Sequence, residues 1–308
     1  MKPVPEFRNR LFPTIERMKR LFVFAAALVF AVSACDNTTT QEKMDAYDDA
    51  LDVIMSEYRD RVSAIDLDET LLMEGRAEEE YGKAVKTAED KIVDLTVRTV
   101  RKNPKDTIAL FALQRACGYI SDYERFAPAV DALSGDIAGD EFVQDLKEVI
   151  DVRLKTAEGK MFTDFTVDTF IGDDENGEPM FRKVSLSDFV GKGKYFLVDF
   201  WSPWCGPCKR EIPNIKAVYD KYHGDDFDVL SIAVWEDSRH MNYRNTVDTA
   251  AVYGMNWNLL NNGKEEPAAL YGIEGIPHII LFGPDGTILK RNLYDGGIDK
   301  AVSEALGR

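Results

Sequence analysis

The sequence predicts two unlike parts: an all-α region, then an α/β domain in which strands and helices alternate. Three observations carry this. From about residue 42 to 155, apolar residues such as Met44, Tyr47, Leu51, Ile54, Met55, Tyr58 and Val62 recur at the spacing of one helical face. From about 158 to 308, short β-branched and aromatic runs alternate with helical patterns. Where one such run meets one such pattern stand Cys205-Gly206-Pro207-Cys208.

Residues 1–34 read as an address. Met18-Lys19-Arg20 precedes the apolar run Leu21 to Val32, and the small residues Ser33 and Ala34 follow. These are the three regions of a secretory signal, and the run is too short to span a membrane. Val32-Ser33-Ala34-Cys35 resembles a bacterial lipobox. That resemblance implies lipidation of Cys35 and a stable anchor through several acyl chains, with ordinary cleavage or an uncleaved anchor as the alternatives. The segment from Met18 is a complete signal by itself, so translation is expected to begin there. Residues 35–41 then form a short polar tether.

The helical region spans 42–155. Its first helix carries the Met44 to Val62 stripe, and a second runs from Asp68 to Lys102. Asn103-Pro104 breaks the chain and starts the next helix with proline in its first turn. Further helical patterns cover 104–117, 121–133 and 139–155. Cys117 lies in the apolar segment Leu110 to Cys117 and reads as a buried, inert thiol, with a resolving or regulatory thiol as the alternative. This region shows no catalytic constellation and no basic stripe. It reads as a spacer or packing partner, with a binding module or a dimerisation surface as the alternatives.

Ala157 to Lys160 marks the linker to the second domain, 158–308. Strands are expected at 163–168, 180–185, 195–201, 227–235, 278–283 and 287–292, with Asp285-Gly286 turning the last pair. Helices are expected at 206–223, 238–253, 265–271 and 297–306.

The chemistry concentrates at one strand-to-helix junction. Phe196 to Trp201 is an apolar run that reads as a buried strand. Gly206 and Pro207 then open a helix carrying Ile212, Ile215 and Val218 at core spacing. A helix N-terminus presents free N–H groups and partial positive charge, which stabilise a thiolate. Cys205, where exposure and dipole combine, is the expected nucleophile, and Cys208 the resolving thiol. A bare Cys-x-x-Cys also suits zinc. The remaining cysteines are Cys35 and Cys117, and His223, His240 and His278 form no ligand pair, so no metal is expected.

Trp204-Cys205-Gly206-Pro207-Cys208-Lys209, led by Asp199 and Phe200, resembles the active site of the thioredoxin superfamily. The order of elements is similar to its TlpA/ResA branch of membrane-tethered thiol–disulfide oxidoreductases. The resemblance covers about half the chain and leaves the helical region out. It implies a thioredoxin fold, with a mixed sheet flanked by helices, and a redox-active cysteine pair as the sole redox group. It implies that Asp199 matches the buried acid that accepts a proton from the resolving cysteine, and that Glu211 tunes thiol acidity. The alternatives are an ion-paired or partly solvated Asp199 and an exposed first-turn acid at Glu211. Gly275-Ile276-Pro277-His278 is similar to the loop carrying the fold's cis-proline. There Ile276 pairs with an extended substrate and Pro277 lies against the cysteines. Trp204 and Pro203 are expected to form an apolar lip, with Trp235 and Trp257 as core aromatics or, alternatively, an extension of that surface together with the 238–262 insertion. His278 is expected to be structural.

The chain has 308 residues and a net charge of −16, which argues against nucleic acid. The expected function is a lipid-anchored, extracytoplasmic thiol–disulfide oxidoreductase working on protein disulfides and supplied by a membrane thiol reductant. Gly-Pro between the cysteines matches thioredoxin and points to reduction; a disulfide-forming oxidant or isomerase is the alternative. A peroxidase would need a Pro-x-x-x-Thr/Ser-x-x-Cys loop, which is missing around Cys205. A reading of another class is an envelope binding lipoprotein working through its helical domain.

Overall fold

The computed structural model describes residues 39–235, 242–261, 263 and 266–308. The expected signal segment, Cys35 and the start of the tether lie outside the described residues. Contacts divide the described chain into two units, residues 39–154 and 155–308.

The first unit is helical. Helix α1 (Thr40–Asp66) opens with a capping box: the Thr39 hydroxyl accepts from the Glu42 N–H while the Glu42 carboxylate accepts from the Thr39 N–H. It is followed by α2 (Glu69–Met73), α3 (Ala77–Lys102), α4 (Thr107–Ala116), α5 (Tyr123–Asp131) and α6 (Glu141–Lys155). Two expectations are corrected. The single helix over 68–102 is two helices, because Gly75 takes a φ of +69° in the left-handed region that glycine tolerates. The helix expected from Pro104 starts at Thr107. Asp106 caps it by accepting from the Ile108 N–H, and Pro104 sits in the preceding turn, where the Asp106 N–H donates to the Asn103 carbonyl.

Helix α3 packs against α1, α4 and α5. Their shared core is built from Tyr47, Ile92, Val93, Leu113, Phe126 and Val130. Tyr47 meets its polar obligation inside that core: its hydroxyl lies 2.8 Å from Thr96 Oγ1 and donates to the Ala112 carbonyl at 3.2 Å. Cys117 is half-buried just past α4, more open than its apolar neighbours suggest. Among the described residues, no helix is long and apolar enough to cross a membrane.

The second unit opens with a two-stranded antiparallel hairpin, β1 (Thr166–Asp173) and β2 (Pro179–Ser185). The first strand was expected at 163–168. It starts later because Thr163 is held elsewhere: its N–H donates to the Tyr271 hydroxyl at 3.0 Å, and that hydroxyl donates to the Thr163 carbonyl at 2.8 Å. The main sheet contains β3 (Tyr195–Trp201), β4 (Phe227–Ala233), β5 (Asn258–Leu260), β6 (His278–Phe282) and β7 (Ile288–Arg291). Their order is β5-β4-β3-β6-β7. β3, β4 and β5 run parallel; β6 is antiparallel to β3, and β7 to β6. Helices α7 (Gly206–Tyr222), α8 (Tyr243–Val252), α9 (Glu266–Leu270) and α10 (Gly296–Leu306) complete the unit. β5 went unforeseen, since three residues are too few to show a pattern. The helix expected over 238–253 begins at Tyr243 behind its Asn242 cap; residues 236–241 lie outside the described residues.

β3 is central and buried on both faces, so its sequence is apolar on both sides rather than alternating, with Asp199 as the one charged exception. Phe196, Val198 and Phe200 pack with Leu186, Tyr271 and Phe282. Leu197 and Trp201 pack on the other side with Ile212 and Ile215 of α7 and Ile298 of α10. Asp199 shares this second face by strand alternation.

The β6–β7 turn is close-packed. Gly286 has a φ of +93°, and a Cβ there would stand 2.6 Å from Phe162 Cδ1. Gly286→Ala is expected to cost about 1–3 kcal/mol. It would be read as a lower urea midpoint at an unchanged slope.

Candidate active site

Strand β3 delivers the chain to the site, and a short turn hands it to α7. The Cys205 N–H donates to the Ser202 carbonyl at 3.0 Å, and Cys205 becomes the N-cap of α7. Cys205 and Cys208 are joined in a disulfide, with Cα atoms 5.3 Å apart. The Cys208 N–H points at Cys205 Sγ from 3.1 Å, so a first-turn amide of the helix serves the sulfur directly. Cys205 Sγ also lies 3.6 Å from the Ile276 carbonyl oxygen. The Ile276–Pro277 peptide bond is cis. The structure therefore brings the two expected segments, 204–208 and 276–277, to one place.

Exposure differs from expectation. Cys205 is only 3% exposed and Cys208 1%. The accessible rim consists of Gly206 and Pro207, with Trp204 and Ile276 half-buried beside it and Pro203 and Pro277 buried. Trp204 is tied down by its indole N–H, which donates to the Trp235 carbonyl at 3.1 Å. Trp235 itself adopts a left-handed backbone, with a φ of +56°.

Asp199 is 1% exposed, with its Oδ1 unpartnered. Its Oδ2 accepts from the Ser231 hydroxyl at 3.2 Å. Burial pushes its carboxyl up to about 7; the Ser231 hydrogen bond opposes that push and the Glu211 charge adds to it. Glu211 is buried, which removes the reading of an exposed first-turn acid. Its Oε1 accepts from Asn214 Nδ2 and from the Asp295 N–H, each at 2.9 Å. Glu211 thus ties α7 to the residue that starts α10.

His278 is buried at the start of β6. Its Nε2 lies 3.2 Å from Arg291 Nη2. A guanidinium only donates, so this ring nitrogen is an acceptor. Arg291 also donates to the Thr156 and Tyr271 carbonyls, which gives His278 a structural setting.

Sequence reasoning missed Ser231. It is the lone hydroxyl in the apolar run Phe227 to Ala233, and that was the available signal.

Residues 159–291 match the sequence model of the AhpC/TSA family. This segment is a thioredoxin-like domain. Curated relatives of the domain are thiol–disulfide oxidoreductases called ResA. The one from Bacillus subtilis is 26% identical over 121 residues, covering 39% of this chain and 62% of that protein. Another, from Bacillus thuringiensis subsp. konkukian, is 28% identical over 135 residues, covering 44% of this chain and 72% of its own. The chain thus spans about three fifths of the length of the first of these relatives. Among solved structures, the thioredoxin domain of a Bacteroides vulgatus thiol–disulfide oxidoreductase is 28% identical, with a TM-score of 0.39 over 48% of this chain and 96% of that one. A thioredoxin-like protein from Bacteroides caccae is 16% identical, with a TM-score of 0.47 over 91% of this chain and 99% of its own.

Proposed function

We propose that this chain is a lipid-anchored, extracytoplasmic thiol–disulfide oxidoreductase that reduces protein disulfides with Cys205 and Cys208. The observation that carries the reading is the cysteine pair, closed as a disulfide at the N-terminus of α7 and set against the Ile276 carbonyl. Similarity to the ResA oxidoreductases supports it.

In the reduced state the Cys205 thiolate attacks one sulfur of a substrate disulfide. That S–S bond breaks, its electron pair leaves on the other substrate sulfur, and a mixed disulfide forms. Cys208 then gives its proton to Asp199 and attacks Cys205 Sγ. The mixed bond breaks, and the released substrate thiolate takes a proton from solvent. Two electrons have passed to the substrate, and Cys205–Cys208 is again a disulfide. Asp199 returns its proton to solvent.

The Cys208 N–H and the α7 dipole favour the Cys205 thiolate. Trp204, Gly206, Pro207, Ile276 and Pro277 form the surface for an extended substrate segment, whose backbone pairs with Ile276. Glu211 raises the proton affinity of Asp199. The cysteine pair carries the electrons without a metal or organic cofactor, and a membrane thiol reductant resupplies them. Lipid on Cys35 keeps the protein at that membrane.

The test is the reduction potential of Cys205–Cys208 in the purified chain, equilibrated in defined thiol buffers. A reductase is expected near about −270 mV or lower. A value near about −120 mV would reverse the direction of electron flow.

A further inference from the structure

Asp199 has one committed oxygen and one open oxygen. Oδ2 accepts from the Ser231 hydroxyl at 3.2 Å, and Ser231 Oγ accepts from the Trp257 indole N–H at 2.9 Å. Oδ1 is buried with no hydrogen-bond partner. The three groups share one face of the sheet. Ser231 stands opposite Asp199 in the β3–β4 pair, and Leu259, two residues after Trp257, stands opposite Ser231 in the β4–β5 pair. Trp257 is itself 9% exposed and lies against Tyr219, with 5.5 Å between ring centroids.

These partners impose a direction. An indole N–H donates and accepts nothing. It occupies a lone pair of Ser231 Oγ and turns the hydroxyl proton outward, where Asp199 Oδ2 receives it. A hydroxyl that donates to a carboxylate favours its charged form, against the effect of burial. No proton leaves along this row, because it ends on a pure donor.

We propose that Ser231 and Trp257 are positioning residues for Asp199: they commit Oδ2 as a standing acceptor and leave Oδ1 as the atom that takes the Cys208 proton and returns it. This deepens the function proposed above and rests on it. The surroundings give these two residues leverage. From α7, Glu211 adds a like charge, and Cys205 and Cys208 are the titratable thiols of the reduced state. From β6, Ile279 stands opposite Asp199 and brings no charge. The Ser231 hydrogen bond is what offsets burial and Glu211.

The test uses the full chain in detergent. The Asp199 carboxyl is titrated by infrared difference spectroscopy, with its band assigned by its loss in Asp199→Asn. In parallel, the pH profile of thiol exchange is followed with dithiobis(nitrobenzoate) as the disulfide probe. Ser231→Ala is expected to move the Asp199 titration upward by about one to two pH units. Trp257→Phe keeps the ring packing and moves it the same way by less. Ser231→Thr restores the hydroxyl and the parent value. The exchange profile follows these shifts, and in an Asp199→Asn background Ser231→Ala no longer moves it. An unmoved Asp199 titration in folded Ser231→Ala overturns the proposal. Should that variant not fold, an unmoved titration in Trp257→Phe overturns it. A titration that shifts in a chain without exchange activity overturns the exchange role and leaves the hydrogen-bonded row standing, so the two failures are told apart.

Discussion

Cys208→Ser is expected to turn the protein into a trap. Cys205 keeps its place at the N-cap of α7 and its amide donor, so it still attacks, but nothing adjacent releases the product. Substrates should accumulate as mixed disulfides on Cys205, visible as reductant-sensitive bands on a non-reducing gel. Multiple turnover should fall by roughly 10³-fold or more, because an intramolecular attack must be replaced by dilute external thiol. Cys205→Ser should lose the same turnover and trap nothing. Trapping on Cys208 in that variant would reverse the assigned roles. An unmodified but reactive Cys205 in Cys208→Ser would mean that the two-thiol sequence is wrong.

Asp199→Asn is expected to have the largest effect on stability, and its size depends on pH. In the unfolded chain the carboxyl gives up its proton around its ordinary 3.8; in the folded chain it holds that proton up to about 7. Between those values the folded state binds one proton more, so stability falls as pH rises. Below pH 4 both states are protonated and above pH 7 both are charged, so the slope vanishes at each end. The accumulated destabilisation is of the order of 4 kcal/mol. Asparagine does not titrate. The variant should therefore gain on the parent from pH 4 to pH 8 by up to about that amount, measured by urea unfolding of the oxidised protein. A stability difference that stays flat with pH would mean that Asp199 is solvated or ionised throughout.

Much of this architecture is written in local pattern. Phe196 to Trp201 announces a central strand because burial on both faces removes every polar position but Asp199. The Met44 to Val62 stripe announces α1. The cysteine motif locates the site, and the Ile276-Pro277 segment arrives beside it as its resemblance implies. Failures occurred where a single residue or a remote contact decides. One glycine in a left-handed conformation, Gly75, splits a run that otherwise reads as continuous helix. Strand β1 begins late because Thr163 is held by Tyr271, 108 positions away. The burial of Glu211 depends on an amide at Asp295, and the setting of Asp199 depends on Ser231 and Trp257. Contacts at such separations leave no periodic trace, although a lone serine in an apolar strand was a usable clue.

The near-complete burial of Cys205 behind Gly206 and Pro207 bears on which partners an exchange enzyme of this kind would serve. Neither exposed rim residue carries a long side chain, and Trp204 beside them is held by its bond to the Trp235 carbonyl. A disulfide held in a loop or an unfolded segment has the freedom to be laid into that notch. One locked inside a folded domain does not. Reach, more than acidity, would then sort the clients, and the site would discriminate between conformational states without reading any sequence.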